Sequence, residues 1–197
     1  MTKKNARAEA LAARIEQGAA ELAAFAEGLS ESEWRKSCND RDRRTLGVLV
    51  HHVGTMYPIE VEAAKAIASG KSVDDVTWEV VAGINAKHSA EHGGVTRAQA
   101  LELLRANSRA AAQAIRAFTD EQLDSAAPFS LSYGAPMTAQ FVIEDHALRH
   151  AWHHLAKMRQ AVGRCAPSYR SLSSSGARAP SRRAGPASRP RGSAACF

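Results

Sequence analysis

Aromatic residues are scarce in this chain, 6% of 197 positions, although 45% are hydrophobic and much of that content is Ala and Leu. Sheets favour β-branched and aromatic side chains, so the mixture argues for helices packed at close range. Long apolar runs are also missing; none approaches the ~20 residues needed to span a bilayer. The opening MTKKNARAEALAARIEQ scatters charges through its apolar pattern, which fits neither a signal peptide nor a stop-transfer segment. A cytoplasmic location is the default expectation. Cysteine is sparse: Cys38, Cys165 and Cys196 show no CxxC spacing, so neither a disulfide framework nor a cysteine zinc site is expected. Only Cys38 falls in the part expected to fold, and it reads as a loop thiol without a catalytic role.

Acidic residues and lysine are absent from Cys165 to Phe197, where six arginines occur. Without those six, the 26 basic residues fall to 20, level with the 20 acidic ones. The formal net charge of +6 and the pI near 9.5 therefore belong to this tail. Such a pI would ordinarily suggest nucleic-acid binding, but here only the tail could supply it. Ser, Ala, Arg, Pro and Gly make up nearly all of the segment, which cannot bury enough apolar surface to order itself. The expected organisation is one folded domain over residues 1–164 and a passive, disordered tail over 165–197.

Helical periodicity dominates the rest. Leu11, Ile15, Ala19, Leu22 and Phe25 predict a first helix from about Asn5 to Leu29, followed by a capping box at Ser30 and Glu33. A second helix is predicted from near Thr45 to Gly70, with Pro58 inside it and Gly54 at i−4 to soften the clash. The pattern weakens between Lys71 and Thr96, where VTWEVVAGINAKHSAEHGG reads as a short helix. Thr96 caps the next, with Ala100, Leu103, Leu104, Ala111, Ile115 and Phe118 as its apolar stripe. SAAPFSLSYGAPM cannot continue as helix, and a last one runs from about Thr138 to Val162, ending at Gly163. The expected fold is an all-α four-helix bundle with a long connection between the second and third helices.

The eight histidines are unevenly spread, and four lie in EDHALRHAWHHLAKMR. His146, His150 and His154 recur every fourth residue, so they stack along one side of a helix. Imidazoles at i and i+4 can grip one metal ion. At about 100° per residue, His150 and His154 share an arc with Ile143, Ala147 and Met158, while Phe141, Leu148, Trp152 and Leu155 form a second apolar arc. His146 sits at the edge of the first arc, and His153 further out. In the second helix, His52 falls with Val48, Met56 and Ile59 on a core arc, and His51 falls on the solvated arc with Arg44 and Glu62. His88 and His92 are a rival i, i+4 pair, set aside because a cation near a helix C-terminus has a simpler electrostatic explanation. Three inward rings without a shared partner would leave polar atoms unpaired at roughly 1–3 kcal/mol each. Ligation of one Zn²⁺, Ni²⁺ or Fe²⁺ by His52, His150 and His154 would satisfy them together. Asp145, Glu144 and Asn85 are the candidate outer partners.

RTLGVLVHHVG resembles the second-helix motif of the DinB-like (damage-inducible) metalloenzymes, and HAWHHLAKM resembles the HxxxH motif of their last helix. The resemblance covers about residues 5 to 163. It implies a four-helix bundle with metal ligands at His52, His150 and His154, although His146 is spaced to replace His154. The family includes thiol-dependent S-transferases and mycothiol-dependent maleylpyruvate isomerases. It therefore implies a divalent metal, a low-molecular-weight thiol as cofactor and a small electrophilic substrate, with S-transferase, isomerase or hydrolase activity. The alternative is a non-enzymatic metal or small-ligand binding stress-response protein. No membrane partner is expected, and a homodimer is the self-association left open.

Overall fold

Each main helix starts where a short polar side chain can take up free backbone N–H groups. The computed structural model describes residues 5–164; the tail expected over 165–197 lies outside the described residues. Helix α1 (Ala6–Glu27) opens at Asn5, whose side chain accepts from the Arg7 and Ala8 amides and donates to the Phe118 carbonyl at 3.0 Å. Helix α2 (Glu31–Trp34) carries the expected capping box between Ser30 and Glu33. Thr45 caps α3 (Leu46–Ala68). Thr77 caps α4 (Trp78–Glu91), which lies within the long connection. Thr96 and Gln99 form a capping box on α5 (Arg97–Arg116), and α6 (Asp120–Asp124) follows.

Next comes a short antiparallel hairpin, β1 (Ala126–Pro128) with β2 (Pro136–Thr138), in register Ala127 to Met137. The all-α bundle class holds, and this hairpin occupies the segment expected to break the helical pattern. Pro128 and Pro136 bar a helix, and the chain takes ladder bonds instead. Val73 of the long connection docks on the hairpin, donating to the Pro128 carbonyl and accepting from the Ser130 amide at 3.0 and 2.9 Å. The last bundle helix comprises α7 (Ala139–Val142), a π-helical turn (Ile143–Leu148) and α8 (Arg149–Ala161). Gly163, at φ +69°, follows its end.

The core lies between α1, α3, α5 and the α7–α8 helix. Alanine makes the close approach possible: Ala8, Ala12, Ala19, Ala23 and Ala26 of α1 are buried, as are Ala100, Ala111 and Ala112 of α5. Leucine, isoleucine and valine fill the rest, with Tyr57 fully enclosed. The abundance of Ala and Leu thus appears as interhelical distance. Helix α4 stands apart, because His88 is its one buried residue. Among the described residues no helix is long and apolar enough to cross a membrane.

Candidate metal centre

His52 projects from α3, and His150 and His154 from one side of α8. One ring nitrogen of each lies within 4.8 Å of the others. His52 is 3% exposed and His154 5%, while the His150 side chain is 17% exposed. The closest approach is 3.2 Å, between Nε2 of His150 and Nε2 of His52. Two nitrogens bound tetrahedrally to one ion at ~2.0–2.1 Å would stand about 3.3 Å apart, so that pair is already at ligand spacing.

A carboxylate backs this arrangement. Glu60 Oε1 lies 2.6 Å from His150 Nδ1, with the Glu60 side chain only 10% exposed. With Nδ1–H donating to Glu60, the His150 Nε2 lone pair faces the cluster. Burial, reinforced by His150, pushes His52 down to about 2. Burial also holds His154 well below the ordinary imidazole value. Both rings are therefore neutral at neutral pH and keep a free lone pair. His52 Nδ1 and His154 Nδ1 are buried without partners. Three crowded imidazoles, His52 and His154 kept neutral by burial and His150 oriented by a carboxylate, fit a borderline divalent ion.

Glu60 was not among the outer partners expected from the sequence. Asp145 pairs with Arg149 at 3.0 Å, Glu144 accepts from Gln140 at 3.2 Å, and Asn85 Oδ1 is buried without a partner. A signal for Glu60 existed: it lies two turns beyond His52 on the same helix. His146 is kept from the cluster, edge-on to Phe129 with Nε2 3.7 Å from Asp145. Burial lowers it as well. His153 is exposed, as its place on the wheel implies. Cys38 is buried and its thiol is raised by that burial, which leaves it a poor nucleophile.

His51 corrects the solvated assignment. It is half-buried, with Nδ1 2.8 Å from His88 Nε2 and its ring centroid 4.1 Å from that of His92. Helix α4 folds over the arc that a single helix would present to water. His88 likewise departs from the expectation of a cation at a helix end: it is 5% exposed, and burial pushes it down to about 4.

The His52–His150–His154 cluster opens onto a cleft of about 790 Å³. Met56, Ile59, Val73, Trp78, Ile84 and Phe129 supply apolar walls, and Arg44, Arg149 and Lys157 supply cations. Asp42 holds Arg44 at 2.7 Å and Asp145 holds Arg149, whereas Lys157 has no carboxylate partner among the described residues.

The fold and the site together define a class: helical bundles with three histidines converging at the foot of an interhelical cleft. The chain belongs to the DinB superfamily, whose family model matches residues 14–158. Among solved structures it is similar to YfiT from Bacillus subtilis, described as "a probable metal-dependent hydrolase with an unusual four-helix bundle topology". The TM-score is 0.65 at 17% identity, over 83% of this chain and 91% of that one. That likeness concerns the fold. No curated protein matches the chain.

Proposed function

We propose that the protein is a divalent-metal-dependent enzyme of the DinB type, acting on a small electrophile through a thiol cofactor or water. His52, His150 and His154 would hold the ion. The observation carrying this reading is three histidine ring nitrogens within 4.8 Å of one another, at the foot of a cleft that admits a small molecule. When bound, the metal would supply Lewis acidity, lowering the pKa of a coordinated thiol or water.

The protein's own groups do the rest. Glu60 fixes the His150 tautomer and ring plane and increases its basicity through the 2.6 Å contact. The apolar walls bind the body of the substrate and exclude water, which strengthens electrostatic interactions in the cleft. Lys157 suits an acidic group on the thiol or the electrophile. The histidine cluster and the metal-dependent description of YfiT support the metal, and its description as a hydrolase supports the water branch.

Two measurements test this. Protein purified without a histidine tag should contain metal, and chelation should abolish turnover of thiol–electrophile pairs or small esters and amides. Returning Zn²⁺, Ni²⁺ or Fe²⁺ should restore it. Turnover that survives complete chelation would refute the metal's role. Glu60→Ala should weaken metal binding ~100-fold and Glu60→Gln, which retains an acceptor, ~10-fold. A competition titration against a chromophoric chelator reads both, and unchanged affinity in Glu60→Ala would remove Glu60 from the site.

A further inference from the structure

Helices usually dock by burying an apolar stripe. Helix α4 does not: Trp78, Val80 and Ile84 are 57%, 42% and 36% exposed, and its one buried residue is His88. His88 meets His51 of α3 and His92, the residue that ends α4. One ring nitrogen of each of the three lies within 4.8 Å of the others. Ring centroids are 5.0 Å apart for His51 and His88, 4.1 Å for His51 and His92, and 4.7 Å for His88 and His92. Thr55 Oγ1 approaches His88 Nε2 at 3.4 Å.

A hydrogen bond between His51 and His88 explains only two of these rings. The His92 ring makes no hydrogen bond among the described residues, and His88 Nδ1 is buried without a partner. The cluster has its own opening, a surface pocket of about 610 Å³ lined by His51, His92, Glu91, Gln99 and Glu102 among others. His52 lines the first cleft and His51 the second pocket, so two consecutive residues of α3 serve two openings.

We propose that His51, His88 and His92 form a second divalent transition-metal site, which clips the C-terminal end of α4 to α3. Glu91, Glu102 or water is available as the fourth ligand. The 2.8 Å separation of His51 Nδ1 and His88 Nε2 would open to about 3.3 Å around an ion with ~2.0–2.1 Å bonds. Trp78, Val81, Ile84 and Asn85 of α4 line the first cleft, so the clip steadies one of its walls. This site stands independently of the function proposed for the first.

The full-length, untagged protein stripped with EDTA and titrated with Zn²⁺ tests the proposal, with Co²⁺ absorption as a second readout. Wild type should take up two equivalents. His92→Ala, at a half-buried position, should take up one, as should His150→Ala, and the double variant none. Amide exchange across α4 should slow on Zn²⁺ addition in His150→Ala but not in His92→Ala. If wild type takes up one equivalent that only His150→Ala removes, or if His92→Ala still takes up two, the second site is overturned. Loss of metal in His92→Ala but not in His150→Ala would instead refute the first site alone. Wild type taking up no Zn²⁺ would overturn both.

Discussion

His150→Ala should abolish the metal equivalent assigned to the cleft and all turnover that depends on it. His150 sits between the other two ligands and the carboxylate, with Nε2 3.2 Å from His52 and Nδ1 2.6 Å from Glu60. Structural zinc sites bind with apparent free energies of ~10–16 kcal/mol, so one of four ligands carries roughly 3 kcal/mol, or about 10²-fold in affinity. Losing the ring also leaves Glu60 with no ligand to orient, so the loss should exceed that figure. Removing one partner of a buried pair is itself destabilising. His150→Gln, whose amide can still donate to Glu60, keeps folding and ligation separable. Far-UV circular dichroism should be unchanged in that variant while the equivalent is lost. Two controls bear on the choice of ligands. His153→Ala removes an exposed ring of the same helix and should leave binding intact. His146→Ala should do the same if His154 is the third ligand. Were His146→Ala to empty the cleft while His154→Ala did not, the assignment of the triad would reverse.

The sequence makes the helices legible because their boundaries depend on local chemistry. Ser30 and Thr96 are caps in the sequence and caps in the structure, and Asn5, Thr45 and Thr138, where helices are expected to begin, each cap one. Rotation about the helix axis is equally legible for His52 and His154, which helical spacing turns inward and which are both buried. Three features lie beyond that logic. The π-helical turn at Ile143–Leu148 takes up an extra residue, so positions before it fall out of phase with those after it by about 100°. Phe141, expected on the apolar arc with Leu148 and Leu155, is accordingly 39% exposed while those two are buried. The environment of His51 depends on α4 folding back over α3, a contact between segments that no single-helix wheel contains. Glu60 escaped for a related reason. A carboxylate on a half-exposed helix reads as solvated until the partner helix brings His150 to within 2.6 Å.

Gly54→Val should be the most destabilising single change near the site, because three constraints meet at that residue. Pro58 has no N–H, so the Gly54 carbonyl has no i+4 donor in its own helix. Asn107 of α5 supplies one instead, donating to Gly54 O at 2.9 Å. The two helices come so close here that a Cβ on residue 54 would lie 2.9 Å from Leu104 N and 3.0 Å from Leu104 Cα. Backbone cannot swing aside as a flexible side chain can, so α3 and α5 must separate and the Asn107 bond must stretch. Overpacking costs ~1–3 kcal/mol, and a weakened bond to a buried carbonyl adds about 1 kcal/mol. Restoring a better helix former than glycine returns at most ~1 kcal/mol. The net loss is about 2–3 kcal/mol, which for a domain of this size lowers Tm by roughly 4–12 °C. Gly83→Ala is the control: its Cβ would meet nothing within 4 Å in exposed α4, so it should raise stability by ~0.5 kcal/mol. Thermal scans of the metal-free proteins measure both. Because His52 lies two residues before Gly54, Gly54→Val should also weaken metal binding in the cleft, whereas Gly83→Ala should leave it unchanged. A valine variant as stable as wild type would show that α3 and α5 can part without cost, and the cleft would then be far softer than its packing implies.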